Sequence, residues 1–535
     1  MNREDAMKRV VRIAGVALVL LLICALLGWA MLPRWNNQPY TDHIGVTSAD
    51  PAIVPANIAI AHEGQYQTRE TQLSIDVGDG ETLPAVLREP INAPGKRPAC
   101  LFIHGSGTSG AEDFGDIANA MASAGIVTLV PAKSNDDYTV FHRDYPRFAG
   151  EYSTAMDVLR GIDGVDQSNT GIYAESEGTW IATVLASKRH DIAFAALTSA
   201  PVFKGREQMA VAMSTYAHEA GAPKPVIEDT MKLLSLDYKP FGFQYADFDA
   251  DYYLKSLTMP VLVSYGVYDT AMPIEQGAQR IMRVAARSGN KAVTVRYFAG
   301  NHQMRAGKGL FAPGLPLADG YTQALENWVN GVAAGASTSG WATPQVAGVQ
   351  PNQQYAAPSR TNSGIIGSLG VLVGVMLAGP ILLGAALLLG LVATLRAAWR
   401  ERDNGFVRMP GKRAALYTVP PSHARGTMSA SITEPCWGLG VSLLTASALL
   451  YGYLAAVGAA AVFAMTPAPG LFDIGWHAVQ VIAILSVIIL AWSGEVMWSI
   501  RHSITGLQRA TCWLVIAAAV FTLLSMAFWG LFGWA

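Results

Sequence analysis

Five apolar runs, each long enough for a hydrocarbon core of about 30 Å, constrain what this chain can fold into more than any other feature: residues 13–32, 364–395, 436–464, 475–498 and 510–533. One run opens the chain and four crowd its last third, leaving residues 33–362 as a separate and more polar block. Only 15% of the 535 residues are charged and 51% are hydrophobic, whereas a soluble globule carries roughly a quarter charged. A disordered chain is excluded. The net charge of -2 offers no basic footprint for nucleic acid.

The flanking charges orient the runs. Lys8, Arg9 and Arg12 precede the first. Between the second and third lie Arg396, Arg400, Arg402, Arg408, Lys412, Arg413 and Arg425 against only Glu401 and Asp403, and Arg501 and Arg509 mark the next connection. Basic excess belongs on the cytoplasmic side, which predicts a cytoplasmic N-terminus (1–12), an anchor over 13–32, residues 33–362 outside, a basic cytoplasmic loop over 396–430, and Ala535 outside. The first run exceeds a typical signal core and reads as a retained anchor; the small pair Gly28 and Ala30 keeps cleavage open as the alternative. Glu495 and His477 are ionisable groups within an apolar run, a combination that marks functional candidates, although Glu495 also suits the interface. Gly379-Pro380 predicts a kink in the second span.

Residues 33–362 hold 25 basic and 33 acidic side chains, a mildly acidic exported block. Of the four cysteines only Cys100 lies there, so no disulfide framework can form. Residues 33–68 read as a connector. From residue 69 two alternating segments, 71–77 and 82–88, give way to short apolar runs at 98–103, 126–131, 170–174, 192–198, 260–265 and 292–298, separated by helical stretches at 114–124, 148–161, 178–188, 274–287 and 318–332. Such alternation predicts an α/β fold, a mostly parallel sheet with helices on both faces, over 69–333. About 60 residues between two of these strands form a cap insertion, roughly 202–258, rich in aromatic residues. Residues 334–362, dominated by Ser, Thr, Gly, Pro, Gln and Asn, predict a flexible linker, and 363–535 a bundle of four transmembrane helices.

In open sheets of this kind reactive groups collect at the carboxyl ends of strands. Here those ends read His104-Gly105-Ser106-Gly107, Glu175-Ser176-Glu177-Gly178, Gly266-Val267-Tyr268-Asp269 and Gly300-Asn301-His302. Ala174-x-Ser176-x-Gly178 alone also fits a serine capping a helix. The four strand ends together supply a nucleophile, an acid and a base in that chain order.

With these residues the sequence resembles the α/β-hydrolase superfamily over roughly 69–333, and within it the bacterial serine hydrolases and esterases with a G-x-S-E-G-G elbow. Ala174 and Thr179 replace the first and last glycine of that pattern. The resemblance implies Ser176 as nucleophile, His302 as base and Asp269 as acid, with Glu275 and Asp251 as rivals for the last role. It also implies an oxyanion hole from the backbone N–H of Glu177 and of Ser106 or Gly105, and His104 as a structural residue. Tyr138, Phe203, Phe241 and Phe243 are candidates for substrate binding. No metal cluster, nucleotide loop or redox motif occurs, so no metal or cofactor is expected.

The function expected is a membrane-anchored serine hydrolase cleaving carboxylic esters, lipid or envelope acyl groups among them, through an acyl-enzyme. An acyltransferase using the same intermediate, a serine peptidase and a non-catalytic binding or assembly protein are the alternatives. The expected partners are the lipid bilayer and an ester or acyl substrate, with the C-terminal helices available for self-association or a membrane partner. The family and the short loops suit a bacterial inner membrane.

Overall fold

The computed structural model of the chain describes all residues except 1–2, 34, 36, 79, 107–108, 136–137, 140, 309–313, 337–340, 405–429, 464, 466, 503–505 and 534–535. Among the described residues nine strands form one sheet: β1 (Thr68–Gly78), β2 (Glu81–Pro90), β3 (Arg97–Ile103), β4 (Val127–Pro131), β5 (Val165–Glu175), β6 (Ala195–Thr198), β7 (Val261–Gly266), β8 (Val293–Phe298) and β9 (Val346–Gly348). Their spatial order is β1-β2-β4-β3-β5-β6-β7-β8-β9. β1 and β2 form an antiparallel hairpin, β2 meets β4 antiparallel, and every later pairing is parallel. Burial follows this arrangement. Edge strand β1 buries only Ile75, whereas β7 and β8 are buried along their whole length because helices cover both faces.

The helices are α1 (Arg3–Ala30), α2 (Gly115–Ser123), α3 (Tyr145–Arg160), α4 (Gly178–Lys188), α5 (Gly205–Glu219), α6 (Lys224–Leu234), α7 (Ala250–Leu254), α8 (Ile274–Arg287), α9 (Tyr321–Ala333), α10 (Leu369–Asn404), α11 (Ala430–Val462), α12 (Leu471–Ile500) and α13 (Gly506–Phe528). α8 buries Ile274, Gly277, Ala278, Ile281 and Ala285, the stripe of a surface helix. α3, α4 and α8 fill one face of the sheet, around Phe148, Ile181 and Ile281. α2 and α9 fill the other, around Met121 and Trp328. Together with the insertion of α5, α6 and α7 between β6 and β7, this is the α/β-hydrolase fold.

α1 and α10–α13 are five helices long and apolar enough to cross a membrane. α1 packs on α12 and α13, and α10 on α13. Gly28 makes the first contact close, since a Cβ there would meet the Ala527 carbonyl oxygen at 2.8 Å. Arg12 of α1 and Glu495 of α12 pair at 2.9 Å. α10 continues through Pro380, with Gly379 packed against Thr522 of α13. Of the basic loop expected over 396–430, residues 405–429, with Arg408, Lys412, Arg413 and Arg425, lie outside the described residues.

The stretch expected to be a flexible linker is instead partly built into the domain. Residues 346–348 are β9, hydrogen-bonded to β8. Gln353 is buried: its N–H donates to Glu275 Oε1 at 2.6 Å, and its Oε1 accepts from the N–H of Glu275 and Gln276, each at 3.0 Å. The incoming connector runs beside it through bridges Pro39–Tyr355 and Pro55–Trp341. A composition rich in Gln, Asn and Thr lacks apolar periodicity but supplies the side-chain donors and acceptors that such a strap needs.

Candidate active site

β5 ends at Glu175 and α4 begins at Gly178, so Ser176 occupies the turn between them with φ +52°. That left-handed conformation is costly for a residue with a Cβ. It persists because neighbours fix the turn: the Ser176 N–H donates to the Thr198 carbonyl at 2.9 Å, and its own carbonyl accepts from Thr179 N–H at 2.9 Å. Gly178 is required here, since a Cβ would press on the carbonyl oxygens of Ile103 and His104 at 2.5 and 2.8 Å. Gly105 is less tightly confined, with the Glu175 carbonyl oxygen 3.0 Å and Ser176 Cβ 3.1 Å from where its own Cβ would stand.

The loops after β7 and β8 bring Asp269 and His302 to this turn. His302 Nε2 lies 2.9 Å from Ser176 Oγ, and His302 Nδ1 lies 2.8 Å from Asp269 Oδ2. The other carboxylate oxygen of Asp269 accepts the Ala271 N–H at 2.9 Å. The His302 carbonyl accepts the Ser199 hydroxyl at 2.7 Å, and buried Asn301 accepts the N–H groups of Gln303 and Arg305. With its Nδ1 proton held by Asp269, the imidazole presents Nε2 to the serine hydroxyl. Burial works to lower the pKa of His302, but the charge and hydrogen bond of Asp269, with Glu175 adding to them, outweigh it and leave it raised.

The rivals of Asp269 serve elsewhere. Glu275, fully buried, accepts the Ile44 N–H at 2.7 Å and the Gln353 N–H, tying both connectors to α8. Asp251 pairs with Arg280. His104 is buried beneath Phe114, its Nε2 2.8 Å from the Pro131 carbonyl, and burial holds its pKa down at about 4. It braces the loop that carries Gly105 and the exposed Ser106.

Glu175 and Glu177 are both buried. Burial pushes the Glu175 carboxyl up to about 7. Glu177 is caged: its carboxylate accepts from Arg143 at 2.6 Å, Tyr138 at 2.6 Å and Tyr145 at 2.8 Å, with Lys133 Nζ 3.8 Å away. Lys133 also donates to the Gly105 carbonyl at 2.5 Å. One buried lysine thus links the residue after Ser176 to the loop facing it. Lys133 was not foreseen. Its only sequence signal is a cation two residues past β4, at the same edge as the other strand ends.

Of the four substrate candidates, Tyr138 therefore holds Glu177, and Phe203 packs on the main core. Phe243 meets Phe141 edge-on at 4.7 Å, joining the cap to the loop between β4 and α3, and Phe241 is exposed beside Gly370. Among the described residues no cluster of His, Cys, Asp and Glu could hold a metal.

Several solved structures are similar to the chain. Est1E from Butyrivibrio proteoclasticus is 17% identical, covering 49% of this chain and 97% of that one, with a TM-score of 0.35. A dienelactone hydrolase-like promiscuous phosphotriesterase from metagenomic libraries is 13% identical over 50% of this chain and 97% of its own, TM-score 0.34. The alpha/beta hydrolase GrgF from Penicillium sp. sh18 is 13% identical over 44% and 91%, TM-score 0.32. No family model and no curated protein matches the chain.

Proposed function

We propose that the chain is a membrane-anchored serine hydrolase that cleaves carboxylic esters outside the cytoplasm. One observation carries this reading: the hydrogen-bonded line Ser176–His302–Asp269 at a left-handed turn between strand and helix. Ser176 Oγ attacks the ester carbonyl as His302 Nε2 takes its proton, and Asp269 stabilises the imidazolium. The resulting oxyanion is met by the Glu177 N–H and the Gly105–Ser106 loop. The alcohol then leaves with the proton from Nε2, and water, deprotonated by the same nitrogen, releases the acid and restores the serine.

The placement of the domain supports its side. Arg12 and Glu495 mark one end of the helices, the end with the basic flanks that belong to the cytoplasm. The hydrolase domain attaches at the other, where Gly364 passes the Met31 carbonyl. The test is labelling of membranes with a fluorophosphonate probe. The parent protein takes the label and Ser176→Ala does not; a folded parent that takes none sinks the reading.

A further inference from the structure

The cap is the surface by which the hydrolase domain meets the spans. Ala217, Ala220, Val226 and Leu236 share one buried apolar cluster with Met31 and Phe528. The Asp237 N–H donates to the Gly367 carbonyl at 2.8 Å, and Lys232 Nζ to the Phe528 carbonyl at 2.5 Å. The carboxyl edge of the sheet, with Ser176 beneath the cap, is therefore turned toward the bilayer.

A cavity of about 410 Å³ lies in this seam, within the size range of small-molecule sites. Its inner wall is Tyr268, Asp269 and Thr270 of the loop that holds the catalytic acid, and its roof is α5, with Thr215 and Tyr216. Its outer wall is Ala460 and Ala461 of α11, with Met465 just beyond. Val462, Phe463 and Met465, next to that wall, are 61%, 74% and 55% exposed, a degree of exposure suited to lipid rather than water at the end of a span. On the roof, the Tyr216 hydroxyl is buried close to the Thr270 side chain. The cavity thus has a hydrocarbon-facing mouth and a polar floor one imidazole away from Ser176.

We infer that this cavity receives the hydrocarbon chain of a bilayer-resident acyl ester, which makes the substrate class a membrane lipid ester and the α5–α11 cleft its approach from the outer leaflet. This rests on the esterase reading above. The apolar mouth takes the chain, which leads past Tyr216 and Thr270 so that the ester carbonyl lies at Ser176 Oγ.

The full-length protein in phosphatidylglycerol vesicles tests it with two esters, water-soluble 4-methylumbelliferyl acetate and membrane-embedded 4-methylumbelliferyl palmitate. Ala461→Trp, which narrows the mouth, is expected to lower the ratio of palmitate to acetate turnover at least tenfold. An unchanged ratio overturns the inference, as does a parent that cleaves acetate but not palmitate; both leave the esterase reading standing. A parent that takes no fluorophosphonate and cleaves neither ester removes both. Should Ala461→Trp fail to fold, a phosphatidylglycerol with a diazirine in its acyl chain replaces it. Crosslinks within 205–219 or 267–272 of the parent support the cavity, and crosslinks confined to the spans overturn it.

Discussion

At the scale of single residues, two side chains beside the nucleophile are open to direct test. Glu177→Gln keeps the backbone N–H next to Ser176 but removes the charge that Arg143 and Lys133 face. The cage loosens and the donor drifts from where the oxyanion forms, so kcat falls on the order of 10–100-fold with KM little changed, part of what losing a whole donor costs. Steady-state kinetics on a soluble ester check this. Glu175→Gln acts through charge instead. His302 must be neutral to accept the serine proton, so activity rises with pH through its pKa. That pKa stands raised, against burial, by Asp269 and by Glu175, which in turn faces Arg305. Removing the Glu175 charge favours neutral imidazole, and the acid limb of kcat/KM shifts to lower pH; an unmoved limb refutes the coupling. The placement of Ser176, Asp269 and His302 at strand ends was legible in the sequence because each follows an apolar run that had to be a strand. Lys133, Arg143 and Tyr145 were not legible as a cage, because their meeting at Glu177 depends on how a rim loop folds back over the elbow, which no local pattern encodes.

At the scale of elements, strand and helix positions were legible wherever burial imposed a period. β7 runs over 261–266 against the expected 260–265, and α8 over 274–287 as expected. β9 escaped because three residues with a glycine carry no period. Its pairing is set by β8 and by the strap behind it. That strap has a measurable worth. Gln353→Ala withdraws the side chain that caps the N–H groups of Glu275 and Gln276, leaving buried donors unmet at about 1–3 kcal/mol. The expected outcome is a lower midpoint in thermal unfolding and faster protease cleavage between residues 349 and 362, with fluorophosphonate labelling of the folded fraction retained. In the bundle, Gly28→Leu forces α1 away from Ala527 and destabilises by about 1–3 kcal/mol, as overpacking does, visible as earlier thermal aggregation in detergent.

At the scale of the whole molecule, five helices long and apolar enough to cross a membrane exceed what tethering one domain requires, and the cap supplies a reason for them. A single anchor would leave the catalytic edge free to face any direction. Here α6 fixes it, through Lys232, which reaches the Phe528 carbonyl at the end of α13 while pairing with Asp229 at 2.5 Å. Both side chains are almost wholly buried, and burial pushes the Asp229 carboxyl up to about 7 even with the ammonium beside it. The pair holds orientation at a desolvation cost. Removing one member is therefore far worse than removing both: Lys232→Met leaves a buried carboxyl without its partner, and breaking such a pair costs about 3–5 kcal/mol. Lys232→Met with Asp229→Leu replaces the pair by apolar bulk and recovers most of that stability. The double variant still lacks the bond to the Phe528 carbonyl, so its cap sits less firmly on the bundle. Thermal unfolding in detergent separates the single from the double variant, and spin labels on the cap and at the end of α13 report whether the distance distribution broadens in the double variant. Equal stability losses in both would mean that the unpaired Asp229 carries no cost, and an unbroadened distribution would mean that Lys232 does not couple the cap to the bundle.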